Sequence, residues 1–182
     1  MIILVIGTMI FFTLHLLPSL PIRANFVSYM GAKNYKILFS LISLLGLGLI
    51  IYGFHLSPFT PLWDPQPWGR TAAISIMPLA VILLCASDMP NNIKRYVRHP
   101  MLIGLMLWGA VHLAANGDLA STILFMSFAL FALLDVILVT KGGRYKAKAP
   151  VSKLWDVALV LTGLCVYAVI FHFHGSITGV SL

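Results

Sequence analysis

Six apolar stretches, at about residues 2–20, 36–54, 72–88, 100–115, 119–139 and 155–173, constrain this chain more than any other feature. Each is near the ~20 residues that a helix needs to cross a hydrocarbon core. That core offers no water to backbone N–H and C=O groups, so a crossing segment must pair them internally, as a helix. The sequence therefore predicts an all-α fold: a polytopic membrane helix bundle of about six transmembrane helices, in one domain over residues 1–182. Composition agrees, with 60% apolar and only 9% charged residues, against roughly 45–50% and about 25% in a soluble domain. The first run has no basic residue before it and no small-residue cleavage signature, so it reads as a retained span. Pro58 to Pro67 reads as a loop, with Trp63 and Trp68 as interfacial anchors.

The net charge of +7 does not point to nucleic acid, because the basic residues sit between apolar runs. Arg23, Lys33 and Lys36 follow the first span. Lys94, Arg95 and Arg98 follow the third, and Lys141, Arg144, Lys146, Lys148 and Lys153 the fifth. Only Arg70 falls on the other side. The positive-inside rule then places these three loops in the cytoplasm and both termini on the non-cytoplasmic side. Cys85 and Cys165 both lie in apolar runs and read as small buried hydrophobes.

Polar groups are costly inside a bilayer, so an intramembrane histidine is a functional-site candidate by default. Of the six histidines, His15 lies inside the first span and His112 inside the fourth. His15, Ser19 and Arg23 recur at four-residue steps, as do Gly104, Trp108 and His112, which predicts shared helical faces. His55, His172 and His174 fall at outer span ends and read as structural or surface residues. His99 starts the fourth span beside Arg98, where a helix-capping or headgroup role is the plain reading.

Two readings of His15 and His112 stand open. In one, each is a neutral imidazole bonded to a neighbouring helix, an interaction averaging only ~0.6 kcal/mol in a bilayer. In the other, both are metal ligands to a haem held between spans one and four, and any catalysis is theirs. Arg23, Lys94, Arg95 and Arg98 then supply cations for the propionates, while His99, Trp108 and Asn116 complete the candidate cofactor-binding set. No Cys-x-x-Cys-His occurs, which excludes covalent c-type attachment. His15 lies in the inner half of its span and His112 in the outer half, a depth offset on the order of 10 Å.

Asp135, inside span five, is expected to pair with a basic residue or a histidine. Asp156 reads as an N-terminal cap of span six, and Asp118, after Asn116-Gly117, as a turn residue capping span five.

The chain resembles the NnrU-domain membrane proteins over nearly its whole length. The matching pieces are His15 to Pro18, Ser19 to Arg23, Gly31, Tyr35, Phe39 and Ser40, and Pro67-Trp68-Gly69-Arg70. The strongest are Arg98-His99-Pro100-Met101 with Gly104, Trp108, His112 and Asn116-Gly117-Asp118; Gly179-Val180-Ser181 closes the match. The resemblance implies a bacterial inner-membrane protein associated with denitrification and nitric-oxide metabolism. Plant and cyanobacterial relatives are 15-cis-zeta-carotene isomerases, haem b proteins with two axial histidines. One of those lies in the first-span histidine motif and the other thirteen residues after the Arg-His-Pro histidine, positions that match His15 and His112. This chain carries Pro18 where the plant-type motif has a glycine-rich run.

Four functions follow as expectations. A haem-containing protein would serve membrane redox sensing or assist a respiratory or denitrification enzyme. An isomerase would take an apolar polyene from the lipid bilayer. Arg98-His99-Pro100 with Gly104 also resembles the motif of isoprenylcysteine carboxyl methyltransferases, but those need a downstream glutamate pair and this chain has no Glu. A non-catalytic membrane subunit would use Gly46, Gly48 and Gly163 for helix packing alone.

Overall fold

A computed structural model describes residues 1–141 and 149–180. Arg144, Lys146, Lys148 and Ser181 lie outside the described residues. Eight α-helices are described: α1 (Ile2–Leu16), α2 (Arg23–Met30), α3 (Ala32–His55), α4 (Gly69–Cys85), α5 (Ile93–Tyr96), α6 (Pro100–Ala115), α7 (Leu119–Lys141) and α8 (Lys153–Thr178). A 3-10 turn over Leu17–Ser19 ends α1. Four segments are long and apolar enough to cross a membrane: Ile2–Ser19, α3, α7 and α8. The protein is an integral membrane helix bundle.

The two remaining apolar runs form shorter helices, α4 with 17 residues and α6 with 16. Their ends explain the shortfall against six full spans. At the end of α4, the Asn91 side-chain amide donates to Ala86 O at 2.8 Å, and Lys94 Nζ donates to Ser87 O at 2.7 Å and Met89 O at 3.0 Å. These bonds satisfy carbonyls that a helix end leaves open, and a cation there suits the helix dipole. α6 starts on Pro100, whose missing N–H costs nothing in a first turn. It ends at Asn116, whose amide donates to His112 O at 2.8 Å.

The helices pack as a row in the order α3, α1, α7, α6, α4, α8. Small residues permit the close contacts that bilayer packing favours. A Cβ on Gly53 of α3 would collide with the backbone of Leu4, and one on Gly104 of α6 would stand 2.7 Å from Ala80 O of α4. The fully buried core is small and includes Leu4, Ala80, Ala132 and Leu159. Large apolar side chains face outward instead, such as Leu44 at 67% and Leu161 at 61% exposure, as a lipid-facing surface requires.

The Pro-rich loop runs over the α6–α7 turn. Leu62 and Trp63 N–H both donate to Gly117 O, at 2.7 and 3.2 Å, and Leu119 N–H donates to Thr60 O at 2.9 Å. Gly117 fits because any Cβ there would meet Trp63 O. Asp118 caps α7 as expected, accepting the Ser121 N–H at 3.0 Å. The side chains of Trp63 and Trp68 are both exposed. Cys85 and Cys165 are free thiols; Cys85 is half-buried, but Cys165 is exposed on α8, contrary to the expectation of burial.

The other two carboxylates with a predicted role, Asp135 and Asp156, depart from expectation. Asp135 accepts from the Ser19 hydroxyl, because the turn after α1 brings that serine against α7. Asp156 does not cap its own helix; Ser152 does, accepting the Leu154 N–H at 3.4 Å. Asp156 instead binds Asn92, accepting its backbone N–H and its side-chain amide, each at 2.7 Å. The Asn92 amide also donates to Val151 O at 3.0 Å, and its oxygen accepts the Val151 N–H at 3.0 Å. One asparagine thus clamps the α4–α5 loop to the start of α8. Asn92→Ala removes three of these four bonds and leaves Val151 partners unpaired. It is expected to lower the thermal midpoint in detergent by several degrees, whereas exposed Asn34→Ala leaves it unchanged.

Candidate intramembrane histidine site

His15 and His112 are held in the same way. His15 Nδ1 lies 2.7 Å from Phe11 O, and His112 Nδ1 lies 2.8 Å from Trp108 O, each four residues back on its own helix. A carbonyl only accepts, so Nδ1 carries the proton in both neutral rings. Nε2 is left with its lone pair and has no hydrogen bond among the described residues. A histidine with its second ring nitrogen tied to a backbone carbonyl is set up as a metal ligand. Among the described residues neither ring is bonded to a neighbouring helix; each bonds within its own.

An aromatic seam on α7 joins the two rings. His112 stacks on Phe125 with centroids 4.6 Å apart, and His15 stacks on Phe11 at 4.0 Å and meets Phe131 edge-on at 6.1 Å. Phe128 stands between, 5.2 Å from Trp108 of α6 and 4.8 Å from Phe12 of α1. Phe125, Phe128 and Phe131 recur every three residues, so one face of α7 carries all three. His112 and His15 meet that face six residues apart, an offset of about 9 Å along the helix. As donors, the two imidazoles fit axial ligation of a haem iron. As a cradle, the seam is closed, since the rings of Phe12, Phe128 and Trp108 fill the space between them.

The remaining predicted residues separate into different roles. Trp108 lies in the seam, 5.2 Å from His112 and 4.9 Å from Phe125. Gly104 does not share that contact surface, because the helical drift turns it onto α4. Asn116 supports the end of α6 through its bond to His112 O. His99 gives α6 no side-chain cap, and its Nε2 is buried without a hydrogen-bond partner among the described residues.

The predicted cations sit on different elements. The chain turns after α1, so Arg23 leaves the His15 face and opens α2, with its guanidinium carbon 6.0 Å from the Tyr35 ring. Lys94 is committed to the end of α4, and Arg95 lies 5.8 Å from the Tyr96 ring. Arg98 is exposed just before α6.

His174 of α8 was read as a surface residue. Its Nδ1 lies 2.9 Å from Val180 O, just past the end of α8. His55 and His172 are exposed. No cluster of three or more histidine, cysteine or acidic side chains occurs among the described residues. Two surface grooves are present, about 800 Å³ beside Tyr167 and His172 and about 360 Å³ beside Met9, Thr13 and Ile42; neither is lined by His15 or His112.

No curated protein and no solved structure matches this chain. The family model described as NnrU protein matches residues 3–182, which takes in α1 through α8 and both anchored histidines. With all but the first two residues inside that match, the chain belongs to the NnrU protein family.

Proposed function

We propose that this NnrU-family protein binds haem b in the membrane, with His15 and His112 as its ligands, and works in redox sensing linked to nitric-oxide metabolism. The observation that carries the reading is the paired anchoring of Nδ1, at 2.7 and 2.8 Å, on two helices that face one aromatic stripe. Packing alone does not require two imidazoles to present their Nε2 lone pairs in the same way. The apolar rings of the seam suit a porphyrin, and Phe128 is the ring that contacts both α1 and α6. Haem binding by both histidines requires the seam to part there. Bound haem would supply a one-electron couple and an iron able to meet small nitrogen oxides.

The same reading sets the chain in a bacterial inner membrane with six crossings. α4 and α6 complete the count, and both termini lie on the non-cytoplasmic side. The side chains of Arg23, Lys33, Lys36, Lys94, Arg95 and Arg98, all on loops or helix starts of one predicted side, support that orientation.

The test is the visible spectrum of purified protein, oxidised and reduced, before and after addition of haem b. A Soret band that shifts on reduction is expected. Protein that is colourless and takes up no added haem overturns the reading.

A further inference from the structure

α1 and α3 run antiparallel in a register that the close contacts define. Gly53 meets Leu4, Gly7 meets Ile50, Gly46 meets Phe11, and Phe39 meets His15 with ring centroids 5.2 Å apart. One further turn brings Tyr35 to the level where α1 ends and Arg23 begins α2, and Arg23 does lie beside the Tyr35 ring. Tyr35, Phe39 and Ser43 follow at four-residue steps along one stripe of α3. The hydroxyls of Tyr35 and Ser43 are both buried and have no hydrogen-bond partner among the described residues. Two orphan hydroxyls, one turn either side of the ring that touches His15, mark a polar partner absent from the protein itself.

The chemistry of that partner follows from the donors. A phenol O–H and a guanidinium together suit an acceptor that carries negative charge, a carboxylate or a phosphate. The partner must also be amphiphilic, because this stripe lies along apolar helices. The groove of about 360 Å³ lined by Met9, Ile10, Thr13, Leu14 and Ile42 runs on the same helix pair and has room for apolar chain.

We propose that Tyr35 and Arg23 form an oxyanion-binding station at the basic end of the α1–α3 seam, taking the acidic head of a membrane amphiphile. Two sources supply that head: the phosphate of an anionic phospholipid, or a haem propionate, the latter resting on the function proposed above. The full chain in neutral detergent is titrated with two matched pairs, phosphatidylglycerol against phosphatidylcholine and haem b against its dimethyl ester. Wild type is expected to prefer the anionic member of one pair by about tenfold, and Tyr35→Phe or Arg23→Gln to erase most of that preference. Preference within the lipid pair assigns the station to phospholipid; preference within the haem pair assigns it to the propionate. Absence of preference in both pairs, or a preference that both variants retain, overturns the station. Tyr35→Phe removes one oxygen and keeps the ring, so it preserves the packing against Phe39. If neither haem nor ester binds, the haem reading falls while the lipid pair still decides the station.

Discussion

His112→Ala is expected to remove the Soret band, and His15→Ala to do the same. The ring of His112 has one nitrogen committed to Trp108 O, so its only route to a metal is Nε2. Losing an outer-shell partner of a ligand typically costs 10–100-fold in metal affinity; losing the ligand itself costs at least about that much. His55→Ala and His172→Ala serve as controls and keep the band, since both side chains are exposed and neither belongs to the candidate set. A band that survives both His15→Ala and His112→Ala places any haem elsewhere. Phe128→Leu gives a second handle. It thins the layer between the two rings, and uptake of added haem is expected to be faster than in wild type.

Gly53→Leu is expected to be strongly destabilising. Its Cβ would collide with the backbone of Leu4, which no change of rotamer relieves, so α1 and α3 must separate. Overpacking typically costs about 1–3 kcal/mol, and backbone contact puts this site at or above the top of that range. Gly48→Leu on the same helix is the control, because nothing lies within 4 Å of its Cβ. The two variants carry the same change in composition and helix propensity. The thermal midpoint and the monodisperse fraction in detergent are expected to fall for Gly53→Leu and hold for Gly48→Leu. Equal behaviour of the two would mean that α1 and α3 are not in close contact.

Local chemistry decided which parts of this fold were legible from residues alone. α6 was bounded correctly at 100–115, because Pro100 can only begin a helix and Asn116-Gly117 turns the chain. α8 runs to Thr178 instead of 173, since His172, His174 and Ser176 extend a helix without adding apolar signal. α2 was missed, because its eight residues carry no apolar periodicity. Loss of α1 geometry at the Leu17–Ser19 turn broke the four-residue pattern that linked His15 to Arg23. The partnerships of Ser19 with Asp135 and of Asn92 with Asp156 join positions 116 and 64 residues apart. Spacing in one chain gives no signal for such pairs. The same holds for the loop bonds onto Gly117 and for the orphan hydroxyls of Tyr35 and Ser43.

The two short helices have a consequence for the lipid around them. At 17 and 16 residues, α4 and α6 span about 25 and 24 Å, against the ~30 Å of an average hydrocarbon core. They pack side by side between α7 and α8, so the deficit is concentrated on the flank they form, while α3, α7 and α8, with 24, 23 and 26 residues, are long enough for full thickness. With α4 and α6 crossing as proposed above, lipid must dimple beside them, at a cost of fractions of a kcal/mol per ångström of mismatch. Such a dent draws similar short-helix neighbours towards that flank, and it steers the protein into thinner regions of a mixed membrane.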